Sequence, residues 1–535
     1  MKGIIVCPQP RAADVGAEIL SQGGNAFDAA LATAFAQMVV DPFMCGLGGM
    51  GTFQFYHAAS AASGMIDFHA RAGSLVIPDM WMHDARGRTE ISGYSLFDDF
   101  RSELGYTSIL APGTVAGFGE AYERFCTKPL VELVSPAIRL ARDGSEVACF
   151  AYDFLSRPMM PGVPDGVQRI SATDECKRIH LRTDGTLYPV GATHTNADFA
   201  MTLQRLSVDG FGDFYKGAIA AEMAADLAAN DSFVTASDLA NYSVRTGPTV
   251  KGSYRGYTVS SNPPPGSGVT LLQMLHILEQ FDITSDGFGS PHHLHLVARA
   301  MSAAHVDRNR YLADPEFTEV PVEMLISKDR GAMWAEKIRR GDAIGDEQVE
   351  PPSCTTHMSI ADEQGNVVSC THTIGTGSGV VTPGLGFVYN NSMKLFDPTP
   401  GNSNSIEAGK ARTTGMVPTI LYRDGEPRLV VGAPGGSVII SAVLQAILNV
   451  VDFGMSPLEA VTVPRIHCEG SGIQAEARIP TSVCSELTRR GHRVMHSSVS
   501  FDPVMSRAHV VEIGGDGTWR GGADPRGGGG IAVAD

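Results

Sequence analysis

Apolar residues recur at helical spacing over residues 12–40, with one interruption at Gly23-Gly24. A helix can stop at a glycine there and Asn25 can cap the next, so the pattern predicts a helical hairpin. The runs 52–57 and 64–69 are rich in β-forming residues and separated by small ones, which predicts two paired strands. Residues 113–314 carry a mostly helical pattern with Gly and Pro punctuation and are expected to be α-rich. Within them Pro263-Pro264-Pro265-Gly266-Ser267-Gly268 reads as a rigid loop ahead of a helix over 271–281. Beyond the polar, charged segment 339–352 the character changes: 355–361, 367–373, 417–422 and 428–432 predict strands, joined by hairpin turns at 362–366 and 423–426. The helix predicted over 437–453 is apolar on nearly every face and ends at Gly454, as expected of a helix sandwiched inside the fold. No internal repeat is present.

At roughly 150 residues per domain, the 535 residues fit three or four domains or one large globule matured by proteolysis. Hydrophobic residues at 43% and charged residues at 19% exclude a disordered chain. Lys and Arg number 41 against 58 Asp and Glu, a net charge of −17 that repels phosphate backbones and anionic membranes, so neither nucleic acid nor a membrane is an expected partner. No apolar run is long enough to span a bilayer, and the first residues lack a signal-peptide pattern, so a cytoplasmic location is expected. The 9 cysteines are scattered singly without a CxxC pair, which fits reduced thiols. The 60 glycines point to tight turns and close backbone approaches.

Three glycine or histidine clusters invite functional readings. Gly46-Leu47-Gly48-Gly49-Met50-Gly51 matches a dinucleotide-binding pattern, but a helix precedes it and a strand follows, the reverse of what that motif needs. It is read as a tight helix-to-strand turn. His292-His293-Leu294-His295 has no second cluster at ligand spacing and is read as a solvated helix start. Gly375-Thr376-Gly377-Ser378-Gly379 lacks the ending of a phosphate loop and is expected to be a flexible, substrate-facing loop.

The segment Ser353-Cys354-Thr355-Thr356-His357-Met358-Ser359 carries more information, because it comes with Asn25-Ala26-Phe27-Asp28, Pro112-Gly113-Thr114, Tyr311-Leu312-Ala313-Asp314-Pro315, Asn390-Asn391-Ser392-Met393, Pro434-Gly435-Gly436-Ser437 and Asp524-Pro525-Arg526 in that order. Together these resemble the γ-glutamyltransferase family of N-terminal-nucleophile hydrolases over essentially the whole chain. The resemblance implies an α+β fold, the four-layer αββα sandwich. It also implies self-cleavage between Cys354 and Thr355 into a large chain, 1–354, and a small chain, 355–535, intertwined in one globule. An oligomer of that heterodimer stays open. No metal or organic cofactor is expected. A threonine hydroxyl is a poor nucleophile unless a base lies beside it, and cleavage frees the α-amine of Thr355 for that task. Thr373 matches the family threonine that orients the nucleophile, and Gly435 and Gly436 match the glycine pair whose N–H groups face the developing oxyanion.

Substrate-binding positions depart from the family. Asp67-Phe68-His69-Ala70-Arg71 places His69 where the family has an arginine for the substrate carboxylate, with Arg71 two residues on and on the same face of a strand. Thr414 and Gly415 replace a serine pair. Gly375 and Leu395 stand where an Asn and an Asp would hold the substrate amine. Burying an ammonium without acceptors is costly, so the expected substrate is a small amide whose acyl part bears a carboxylate and lacks the α-amine, oxamate-like or glutaryl-like. The alternatives are a genuine γ-glutamyltransferase or glutathione hydrolase and, from another class, an uncleaved non-catalytic binding protein.

Overall fold

Two antiparallel sheets stacked face to face, each covered on its outer side by helices, organise the chain. The computed structural model describes residues 2–87, 95–157, 162–344, 355–470 and 472–535. The strands of the two large sheets are β1 (Gly3–Cys7), β2 (Met50–His57), β3 (Ala62–Phe68), β4 (Arg245–Gly247), β5 (Val250–Tyr254), β6 (Tyr257–Ser261), β7 (Thr356–Asp362), β8 (Val367–Thr373), β9 (Thr419–Arg423), β10 (Glu426–Gly432), β11 (His509–Ile513), β12 (Trp519–Ala523) and β13 (Gly530–Ala534). The first sheet runs β13-β1-β7-β8-β2-β3-β4 and the second β12-β11-β10-β9-β6-β5. This is the expected α+β sandwich, and residues on both sides of position 354 contribute strands to both sheets.

The predicted hairpin is present as α1 (Pro10–Ser21) and α2 (Ala26–Val40). Asn25 and Asp28 form a reciprocal capping box: Asn25 Oδ1 accepts from Asp28 N, and Asp28 Oδ2 from Asn25 N, each at 2.9 Å. Helices α2 and α3 (Thr114–Phe125) cover the outer face of the first sheet, where Phe68 of β3 lies against Gly117 and Phe118. Helices α4 (Gly268–Leu278) and α6 (Val438–Val451), with α5 (Pro291–Tyr311) beside α4, share one apolar cluster with the second sheet. As its all-round apolar pattern predicts, α6 is buried over almost its whole length. Residues 113–314 are mostly helical, as expected, and also hold the strands β4, β5 and β6. Val250, Tyr254, Tyr257 and Val259 are β-formers set about an Arg255-Gly256 turn with φ of 48° and 84°, and the helical pattern on either side masks so short a hairpin.

Register fixes which side chains share a face of the first sheet. Thr356 pairs with His372, Thr373 with Met50, and Gly51 with Phe68. One residue further, Thr355, Thr373, Met50 and His69 therefore line up across one end of the sheet. The next residues on that face are His357, Thr371, Thr52 and Asp67, which are also mutually paired. This face looks onto the second sheet: Gln54 Nε2 donates to Ser260 O at 2.9 Å, and a Cβ on Gly432 would come within 2.2 Å of the His357 ring. The opposite face meets α2, where Gln37 Nε2 donates to Thr356 Oγ1 at 3.0 Å and Gln37 Oε1 lies 2.9 Å from His372 Nε2.

Candidate active site

Thr355 and Thr373 meet at the end of the first sheet, on the face that looks between the sheets. Thr355 Oγ1 donates to Thr373 Oγ1 at 3.4 Å, and Thr373 Oγ1 also accepts from Gly375 N at 2.8 Å. Arg507 donates to Thr355 O at 3.3 Å, so the backbone of the first residue of the proposed small chain is gripped from the C-terminal end of the sequence. Gly49 explains the glycine run at 46–51: it lies in the turn between α2 and β2, and a Cβ there would fall 2.4 Å from Thr373 O. The run is thus the expected helix-to-strand turn, pressed against the backbone of Thr373. Cys354, the other residue of the expected cleavage bond, lies outside the described residues.

Gly435 and Gly436 sit between β10 and α6 with φ of 124° and 63°, values that a side chain disfavours. Among the described residues neither N–H donates a hydrogen bond, which leaves both available to an oxyanion. Ser437 at the start of α6 bonds Glu469, whose carboxylate also lies 3.0 Å from His467 Nε2. Thr414 N donates to Pro265 O at 3.0 Å and Thr414 O accepts from Ser267 Oγ at 2.5 Å, so the Pro-rich loop packs beside it. A Cβ on Gly415 would fall 2.1 Å from Gly436 O. The loss of the family's second serine is therefore coupled to close contact with the glycine pair.

Positions expected to handle the substrate separate into two groups. His69 lies on the same face of the sheet as Thr355, and its Nδ1 is bonded to Asp67 Oδ1. Burial works against ionisation of Asp67, but His69 and Arg245 hold its carboxyl below the usual carboxylate range. Arg71 donates to Glu316 Oε2 at 3.1 Å and to Gly409 O at 3.4 Å, and lies 3.9 Å from Asp314. Its guanidinium is committed to these partners. Gly375 has φ of 71°, and a Cβ there would come within 2.3 Å of Asn391 Oδ1. Asn391 thus fills the space that a side chain at 375 would need, and spends its amide on Thr376 and Glu103 O. Leu395 offers only its backbone O, which accepts from Asn404 Nδ2 at 2.7 Å.

Two other expectations are corrected. The loop 375–379 is buried throughout, with Gly377 O accepting from Arg169 at 2.9 Å, instead of flexible. His293 is buried and His295 Nδ1 lies 2.7 Å from His492 Nε2, so the histidine run packs into the fold instead of facing solvent. Sequence reasoning missed three contributors. Asp67 was within reach, as a carboxylate two residues from His69 on one strand face. Arg507 and the buried Glu103, paired with Arg169 at 3.2 Å and Lys394 at 3.6 Å, carry no local signal.

Comparison with known proteins agrees with this arrangement. The family model described as Gamma-glutamyltranspeptidase matches residues 12–534. The chain is 36% identical to the acylase ACY 1 proenzyme of Pseudomonas sp. (strain V22), covering 98% of this chain and 92% of that one. It is 33% identical to the glutathione hydrolase proenzyme of Escherichia coli (strain K12), covering 98% and 90%. Among solved structures, a cephalosporin acylase from Bacillus halodurans superposes with a TM-score of 0.88 at 26% identity, covering 99% of this chain and 95% of that one. With its αββα sandwich, its threonine pair and these relatives, the chain belongs to the γ-glutamyltranspeptidase family of amide-cleaving N-terminal-nucleophile enzymes.

Proposed function

We propose that this protein is an autoprocessing threonine amidohydrolase that cleaves a small amide whose acyl group bears a carboxylate and lacks an α-amine. The observation that carries the reading is a contrast: Thr355 and Thr373 are in contact, whereas Gly375 and Leu395 offer no side-chain acceptor for an ammonium. In maturation Thr355 Oγ attacks the Cys354 carbonyl, the peptide nitrogen leaves to give an ester, and water hydrolyses it. The products are a chain of residues 1–354 and one of 355–535 with a free Thr355 amine. In turnover that amine takes the hydroxyl proton, Oγ attacks the substrate carbonyl, and the Gly435 and Gly436 N–H groups stabilise the oxyanion. The proton passes to the leaving amine, and water releases the acyl group from Thr355. Thr414 keeps one hydroxyl at the position of the family's serine pair.

A γ-glutamyl specificity is the second reading, supported by the 33% identity to the Escherichia coli glutathione hydrolase proenzyme. Comparing kcat/KM for glutaryl and γ-glutamyl amides of one amine decides between them. The expected result is a higher value for the glutaryl amide, because the α-ammonium must shed water without a replacement partner. Leu395→Asp is expected to move the ratio toward γ-glutamyl. A clear γ-glutamyl preference in the wild type would overturn the reading.

A further inference from the structure

Helix α6 carries one polar stripe in an otherwise apolar surface. Ser437 at its N-cap, then Ser441, Gln445 and Asn449, recur every fourth residue and so share a face, and all four are buried. Each meets the segment 460–469. Asn449 Nδ2 donates to Ala460 O at 2.9 Å, and Gln445 Nε2 donates to Ile466 O at 2.8 Å while its Oε1 accepts from Ile466 N at 3.1 Å. Ser441 Oγ lies 2.7 Å from His467 Nδ1, and Ser437 Oγ donates to Glu469 Oε1. Glu469 and His467 are buried in turn, 3.0 Å apart. Apolar packing tolerates sliding of a helix along its axis, whereas directional bonds at every fourth residue fix its register. A buried carboxylate is costly to keep, and this one closes the stripe beside Gly436.

We infer that this stripe sets the axial position of α6, and that Ser437 and Glu469 at its end are positioning residues for the Gly435 and Gly436 N–H groups. The role rests on the oxyanion function given to that pair above and adds what keeps the pair in place. Consecutive glycines have wide conformational freedom, so φ of 124° and 63° must be imposed by what flanks them. On one side Ser506 Oγ donates to Pro434 O at 2.6 Å. On the other, Gly415 packs against Gly436 O and the Ser437 hydroxyl is tied to Glu469. An N-cap serine ordinarily accepts an N–H of its own helix. Among the described residues the Ser437 side chain makes no such cap, and its hydroxyl reaches across to the carboxylate instead. Oxyanion donors stabilise the transition state only when aimed at the place where charge develops. Loss of the tie would let the glycine turn swing its N–H groups away from that place.

The test measures kcat and KM, per matured small chain, on whichever of the glutaryl and γ-glutamyl amides the wild type turns over. Ser437→Ala and Glu469→Leu are each expected to lower kcat by about tenfold to a hundredfold with KM changed by less than about threefold, because a misaimed oxyanion donor is felt in the transition state and not in substrate binding. Glu469→Gln keeps an acceptor for the Ser437 hydroxyl and should recover most of that loss. The double variant Ser437→Ala/Glu469→Leu should be no slower than the worse single one, since both remove the same contact. An unchanged kcat in Ser437→Ala, a loss carried mainly by KM, a Glu469→Gln as slow as Glu469→Leu, or additive losses in the double variant would overturn the positioning role. If Glu469→Leu does not fold, Ser437→Ala, which deletes a single oxygen, decides alone, and a Ser437→Ala chain that fails to mature would overturn the role as well. A wild type that prefers the γ-glutamyl amide would refute the proposed acyl group while these variants still decide the positioning. Turnover of neither amide would remove both.

Discussion

Among the described residues the Thr373 hydroxyl accepts two hydrogen bonds with different consequences: one from Thr355 Oγ1 at 3.4 Å and one from Gly375 N at 2.8 Å. Thr373→Val keeps the β-branched shape that β8 favours and deletes both. We expect kcat to fall by roughly ten- to a thousand-fold with KM little changed, the signature of an interaction that acts mainly in the transition state. Steady-state kinetics on the matured variant checks this, and a raised KM at unchanged kcat would make Thr373 a substrate contact. At this scale the sequence was informative where residues are contiguous. Thr355 and the glycine pair are read from short motifs, and Thr373 from its place at the end of the following strand. Arg507 was illegible, because 152 residues separate it from the carbonyl it holds and nothing in its neighbourhood marks it.

Strands β7 and β8 place His357 and His372 at the centre of the first sheet, one on each face. Burial lowers the pKa of each to about 3. In the unfolded chain an imidazole titrates near 6.5, so below about pH 6.5 the unfolded state binds protons that the folded state refuses. Stability should therefore be complete above about pH 6.5 and decline as pH falls toward 3. His305, lowered to about 3, and His276, lowered to about 4, push the same way. Asp41, whose buried carboxyl is raised to about 6, pushes the other way, but it is one group against several. Thermal unfolding from pH 7 to pH 5, above the range where most carboxylates titrate, should show Tm falling by several degrees. A Tm that is flat or rising on acidification would contradict these burials. The elements themselves were largely legible: the capped hairpin, the β7–β8 and β9–β10 hairpins and α6 follow from period, turn residues and glycine stops. The hairpin of β5 and β6 escaped because its five-residue strands lie between long helical stretches. The burial of the 375–379 loop escaped because glycine content reports conformational freedom and not what packs around it.

At the scale of the whole molecule, cleavage before Thr355 should turn the 56.7 kDa chain into pieces of about 38 and 19 kDa on a denaturing gel, and Thr355→Ala should leave one band. A fully active preparation that shows only the intact chain would refute the proposed base. The layered fold follows from the family's motifs, but the path of the chain through it does not, because strand order depends on pairings between residues hundreds of positions apart. Strands from the two sides of residue 354 alternate: β1 lies between β13 and β7, β8 beside β2, and β9 beside β6. Four seams of backbone hydrogen bonds thus join what cleavage would make two polypeptides. Neither piece owns a complete sheet, and neither can leave without exposing the apolar interior of the other. Dilution, which separates partners that merely dock, has nothing to act on here.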